Sequence, residues 1–259
     1  MSTPSRLDRK YGWKRDNPDF RDFAYHPMAT PLPMHVDLRP KFPNCYDQGN
    51  LGSCTGNAIA GVIEFDRVRE KLPDFTPSRL FIYYQERVLE NDVEQDNGAQ
   101  LRNGVKAVNR WGAPAETEWP YDVSQFAVKP PEKAYQDAAK MRALSYQSVS
   151  QNVNAMRQCL AGGFPFVLGF QVYESFESDA VAKSGIVPMP SPSEGNVGGH
   201  AVVCVGYTDV QLGAIPGGHF IIRNSWGTGW GMHGYFAMPY GYLENPNLSD
   251  DFWKVTSVA

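Results

Sequence analysis

The spacing of apolar positions divides the chain into two kinds of pattern. From Cys54 to Leu72, Ile59, Val62, Ile63 and Val68 recur near helical spacing, and charges crowd the second half. This predicts a helix buried at its start and solvated at its end. Thr76-Pro77 reads as an N-cap followed by proline at the first helical position, opening a second helix to about Glu90. Leu101, Val105, Val108 and Trp111 fall on one face of a third helix, which Gly112 would cap. After residue 142 the pattern changes. Residues 144–149 are short and extended, and 152–161 form a brief helix. Pro165 to Val172, Gly199 to Tyr207, His219 to Ser225 and Gly234 to Met238 read as strands between Gly and Pro clusters. Helices followed by strands indicate an α+β fold, expected here as two subdomains, 36–142 and 143–259, with a cleft between them.

Residues 1–35 fit neither pattern. They lack a periodic apolar face, yet Tyr11, Trp13, Phe20, Phe23 and Tyr25 put five aromatics into fifteen residues. That is unusual for a free tail, so an ordered arm tied down by these rings is expected.

Composition narrows the function classes. Among 259 residues, 42% are apolar and 13% aromatic, which excludes a disordered chain. The 24 glycines and 20 prolines follow no period and indicate many tight turns. A net charge of −4 argues against nucleic acid as the partner. The apolar runs are too short to span a membrane. No apolar core follows the basic residues at the N-terminus, so no secretory signal is read and a cytoplasmic location, or export by another route, is expected. Four cysteines are too few for a disulfide framework at this length. They raise the question of whether one of them is a reagent.

Cys54 is set apart from the other three. It stands in QGNLGSCTG (Gln48 to Gly56), where a glycine-rich turn feeds the first helix. A helix N-terminus favours a thiolate. Gln48 lies six residues upstream, on the loop. A base is then needed. His200 opens the apolar strand GGHAVVCVGY after two glycines and is well placed to face a cleft, whereas His219 and His233 read as structural or exposed. A third group should orient the imidazole, and Asn224 in RNSWGTGWGMHGYF ends a strand beside Trp226. A tryptophan there would shield a His–Asn hydrogen bond from water.

Three separated motifs now resemble the papain family of cysteine peptidases. QGNLGSCTG resembles its oxyanion and nucleophile segment, GGHAVVCVGY its histidine strand, and NSWGTGWGMHGYF its asparagine segment. Weaker likeness covers VDLR (Val36 to Arg39), DNGAQL (Asp96 to Leu101) and WPYD (Trp119 to Asp122). Within the family the chain is similar to bacterial xylellain-type members, which also carry an aromatic, Asp-rich N-terminal stretch. The resemblance implies a helical left half and an antiparallel β-barrel right half flanking the active-site cleft. It implies a cysteine endopeptidase that needs no cofactor or metal, acts on polypeptides and works as a monomer. Cys54 would be the nucleophile and His200 its partner. Asn224 would orient His200, and Gln48 would help hold the oxyanion. Gly98 and Ala99 would offer backbone groups to an extended substrate, with Leu101 and Gly169 lining a pocket. Gly199 precedes the histidine, Trp226 would cover the His–Asn contact, and Trp230 would form part of the primed-side wall.

The chain departs from the family at Leu51, Thr55, Ala99 and Gly199. Leu51 replaces a disulfide cysteine, so Cys45, Cys159 and Cys204 are expected as free thiols, with a Cys45–Cys159 bridge left open. An insertion is expected at 209–217. The arm, too short for the family's usual large propeptide, is expected to pack on the catalytic half and partly cover the cleft. Two rivals stand beside the peptidase reading: an enzyme acting on another amide, and a silent binding module using the same cleft.

Overall fold

The computed structural model describes residues 9–27, 31–141, 144–213, 215 and 217–257. The remainder of the expected arm, the division at 142–143 and two positions of the expected insertion lie outside these residues. In chain order the main elements are β1 (Trp13–Lys14), β2 (His35–Asp37), α1 (Cys54–Arg69), α2 (Arg79–Glu90), β3 (Ala99–Gln100), α3 (Leu101–Trp111), α4 (Glu132–Ala138) and β4 (Leu144–Ser148). Then follow α5 (Val153–Ala161), β5 (Phe166–Tyr173), α6 (Asp179–Ser184), β6 (Asn196–Thr208), β7 (His219–Arg223), β8 (Tyr235–Pro239), α7 (Tyr240–Glu244) and β9 (Ser249–Ser257).

Strand alternation explains how the halves meet. The main sheet runs β4-β9-β5-β6-β7-β8, with β2 also on β6, and its pairs are antiparallel. Successive side chains point to opposite faces. Leu168, Phe170, Val202, Cys204, Phe220, Ile222 and Phe236 fill one core on one face. Val167, Ala201, Val203, Ile221 and Trp253 point the other way, into a second core with Ile59, Val62 and Ile63 of α1. Helix α1 is thus packed on the sheet, and its N-terminus carries Cys54.

Some elements differ from expectation. Helix α2 begins two residues late: Ser78 is its cap, accepting from the Phe81 N–H at 3.2 Å, while Pro77 bridges Ala115. Helix α1 stays buried through Asp66, because Arg69 reaches back to that carboxylate and Tyr46 covers Glu64. Strand β9 was not expected. It lies between β4 and β5, so both its edges are paired, and its polar residues hide a central strand. All four cysteines are unpaired. Cys45 sits against the Gly234 carbonyl and Cys159 is buried on α5, so no Cys45–Cys159 bridge forms.

The arm is ordered over residues 9–27, with anchors that differ in part from those expected. Tyr25 N–H donates to Ser148 O at 2.7 Å and Ser148 N–H to Phe23 O at 2.8 Å, laying this stretch along edge strand β4. That pairing turns Phe20 and Phe23 outward, 99% and 75% exposed, so neither ring is an anchor. Arg102 of α3 holds Asp22 and the Asn17 carbonyl. Trp13 is buried in the core between α1 and the sheet.

Candidate active site

The loop before α1 is held from several sides. Arg79 donates to Asp47 O at 3.1 Å, is fixed by a two-pronged pair with Glu116, and stacks on Tyr121. Tyr121 donates to Gln48 O at 3.0 Å. Asp96 accepts from the Gly52 N–H at 3.0 Å and from Tyr83 Oη at 2.7 Å, and Tyr83 Oη in turn accepts from the Gly98 N–H at 3.1 Å. One chain of bonds therefore ties the Gln48 loop to the wall at Gly98 and Ala99.

Across the cleft, His200 Nε2 meets Asn224 Oδ1 at 2.8 Å. An amide oxygen only accepts, so Nε2 carries the hydrogen and Nδ1 keeps a lone pair. Nδ1 has no protein hydrogen-bond partner. The Trp226 indole stacks on the imidazole with ring centres 4.9 Å apart and keeps water from the His–Asn bond. Trp230 is only 7% exposed and packs behind Trp226 and Phe176, so it backs the wall rather than facing the cleft. Leu101 is likewise fully buried, in the core with Ile59 and Val105.

Ser225 links the two sides and was missed in the sequence. Its hydroxyl donates to Gln48 Oε1 at 2.6 Å, and its N–H donates to Asn224 Oδ1 at 2.8 Å. That fixes the Gln48 amide with its NH2 toward Leu51 O at 2.9 Å and Lys10 O at 3.4 Å. The Ala201 N–H, next to His200, points at the Cys54 sulfur and brings the two candidate partners to one place.

The arm lies in this place. Strand β1 pairs in parallel with β3, and the Ala99 N–H donates to Gly12 O at 2.7 Å. A Cβ at Gly98 would overlap the Gly12 carbonyl, and one at Gly169 would overlap the Trp13 indole. Only glycine admits the arm at these two walls. Gly199 touches Trp13 as well. The Tyr11 ring stands edge-on to His200, and the Arg9 guanidinium covers Trp226 at 4.0 Å. Lys10 pairs with Asp96 at 2.8 Å, and Lys14 with Glu90 at 3.2 Å.

Covering the site changes its protonation. Burial pushes the Cys54 thiol up to about 12, despite N–H groups of Ala201, Gly12 and Thr55 directed at the sulfur. Burial drives His200 down to about 4, against the Asn224 hydrogen bond, with the nearby Arg9 charge adding to the drop. A helix N-terminus alone had suggested a ready thiolate. Beneath the docked arm the pair is a neutral thiol and a neutral imidazole, because desolvation outweighs the dipole.

The model of the papain family cysteine proteases matches residues 32–251. The chain belongs to the papain family. As a papain-family cysteine peptidase it is a hydrolase with an α+β fold. It is 42% identical to xylellain, a cysteine protease from Xylella fastidiosa, over 97% of each chain, with a TM-score of 0.89. It is 39% identical to an uncharacterized peptidase C1-like protein of Acanthamoeba polyphaga mimivirus, over 98% of this chain and 89% of that one. A cathepsin B-like protein of Giardia intestinalis is 30% identical over 81% of this chain and 70% of its own. For this peptidase, Gln48→Ala is expected to lower kcat about 10²–10³-fold with little change in KM, read in steady-state hydrolysis of a fluorogenic peptide. An unchanged kcat would remove Gln48 from the oxyanion site.

Proposed function

We propose that the protein is an endopeptidase in which Cys54 and His200 cleave peptide bonds through a thioester, and that residues 9–16 hold it inactive. With the cleft open, the Cys54 proton passes to His200 Nδ1, giving thiolate and imidazolium. The thiolate attacks the scissile carbonyl carbon. The oxygen gains the charge, and the Gln48 amide and the Cys54 N–H receive it. The imidazolium returns its proton to the leaving amine as the C–N bond breaks. His200 then takes a proton from water, whose oxygen attacks the thioester and frees the acid and the thiol. Asn224 holds the imidazole tautomer throughout, and Ser225 holds the Gln48 amide. Gly98 and Ala99 would pair with extended substrate as β1 pairs with them now.

One observation carries the inhibitory reading. Cys54 and His200 are both 0% exposed, with Tyr11 of the arm edge-on to His200 and Gly12 and Trp13 laid against Gly98 and Gly169. A segment seated this way leaves a substrate no access to the nucleophile. The 42% identity to xylellain supports the peptidase reading itself. Labelling with an epoxysuccinyl inhibitor tests both parts. A mass adduct on Cys54 should form slowly in the full chain and faster once residues 1–35 are deleted. No adduct on Cys54 in either folded form would remove it as nucleophile. Equal rates in both would remove the arm as inhibitor.

A further inference from the structure

Two carboxyl groups meet under the docked arm, and cleavage uses neither. Asp16 belongs to the arm and Asp251 to β9; they are 7% and 8% exposed. Their hydrogen bonds cross. Trp13 Nε1–H of the arm donates to Asp251 Oδ2 at 2.8 Å, and the Asp16 N–H donates to the same oxygen at 2.8 Å. Trp253 Nε1–H of β9 donates to Asp16 Oδ2 at 2.9 Å, and the Arg102 N–H of α3 donates to Asp16 Oδ1 at 3.1 Å. Each side thus contributes one indole and one carboxyl, and all four donors are neutral. Asp251 sits at φ +59°, a left-handed backbone that a non-glycine residue rarely holds.

The charged groups nearby give little relief. The Arg102 guanidinium is turned to Asp22 at 2.5 Å and to the Asn17 carbonyl. Arg15 pairs with Asp250 at 3.3 Å. The Arg102 charge still lowers Asp16, Asp22 works against it and Asp250 adds repulsion at Asp251, but desolvation is the largest influence on both carboxyls. Adjacent buried carboxyls served only by neutral donors resist double ionisation.

We propose that this crossed indole–carboxyl clasp is a proton-operated latch that keeps the arm in the cleft in acid and releases it as the pH rises toward neutral. The proposal rests on the arm being the blocking segment. Burial raises Asp16 to about 6, and burial with the Asp16 charge raises Asp251 to about 7. Undocked, Asp16 returns to water and to an ordinary carboxylate range near ~3.9. The docked form therefore binds more protons, so docking weakens between about pH 4 and about pH 7 and levels off above. The catalytic pair does not cancel this trend. Docked, it is thiol and neutral imidazole; open, it is thiolate and imidazolium. Both states hold one proton, so the pair's contribution is flat until the pH falls to about 4, where buried His200 protonates.

The test uses the full chain carrying fluorotryptophan. Its Trp13 fluorine signal, assigned by its loss in Trp13→Phe, reports docked and free arm across roughly pH 4.5–8. The free-to-docked ratio should rise up to about tenfold per pH unit for each proton released, then level off. In Asp16→Asn/Asp251→Asn it should stay constant. A constant ratio in the wild type, or an unaltered pH response in the double variant, overturns the latch. Asp16→Asn alone alters only the arm and should weaken the response, leaving the part due to buried Asp251, even if the double variant fails to fold; an unaltered response there overturns the latch equally. Alkylation of Cys54, divided at each pH by its rate in Trp13→Ala, separates the two ideas. If Trp13→Ala reacts no faster at any pH, the blocking role fails. If it reacts faster by one constant factor, the block stands and the latch fails.

Discussion

Replacing Cys54 by Ala is expected to reduce turnover of a fluorogenic peptide by about 10⁴-fold or more, to the uncatalysed background. The comparison belongs in a Trp13→Ala background, where the cleft is open. His200, Asn224 and Gln48 would remain in place, but none of them can form the acyl bond. Stability should move by about 1 kcal/mol or less. In the docked full chain, where stability is compared, the thiol is fully buried, it packs as a small apolar group at the helix start, and its hydrogen bonds are weak. A calorimetric melt checks this half of the expectation. Activity of a few per cent in the folded variant would mean that another nucleophile works in the cleft.

The second large effect runs the other way. Trp13→Ala is expected to raise kcat/KM of the full chain about 100-fold at pH 6. Truncating a buried tryptophan costs about 3–5 kcal/mol. Here that cost falls on docking rather than on the fold, because Trp13 belongs to the arm while its pocket belongs to the body. The indole is 6% exposed, lies on Gly169 and Gly199, and donates to Asp251. A loss of about 3 kcal/mol changes an equilibrium roughly 150-fold. Steady-state assays of both forms at equal active-site titre measure it. Equal rates would mean that the arm leaves the cleft freely.

Much of this architecture could be read in the chain, for stated reasons. Helices α1 and α3 announce themselves because one face is wet and one dry. Strands β5 to β8 do so through apolar runs between glycines. Cys54, His200 and Asn224 stood out because each sits in a local sequence that its chemistry requires. Strand β9 did not, since Asp250, Asp251 and Lys254 mask a segment whose neighbours on both sides were unknown. The α2 cap was misplaced because Thr76, Ser78 and Pro77 offer two cap solutions, and the contact of Pro77 with Ala115 decides between them. Ser225 and Asp251 carry no local signature. Their partners lie 177 and 238 residues away in sequence, so only the fold brings them together. The aromatic arm was legible as ordered, but rings that anchor and rings that face water look alike until the backbone pairing with β4 is known.

The tether between the arm and β2 has a consequence for dose. Residues 17–34 join the segment in the cleft to strand β2, so under the proposed inhibition blocker and target share one molecule. The local concentration of an arm held on a short link is on the order of millimolar, whatever the protein concentration. Diluting the protein cannot free the cleft, and adding more protein cannot close it further. A single cut within 17–34 would end this. The severed peptide would then bind as any separate ligand does, and its hold on the cleft would fall with dilution.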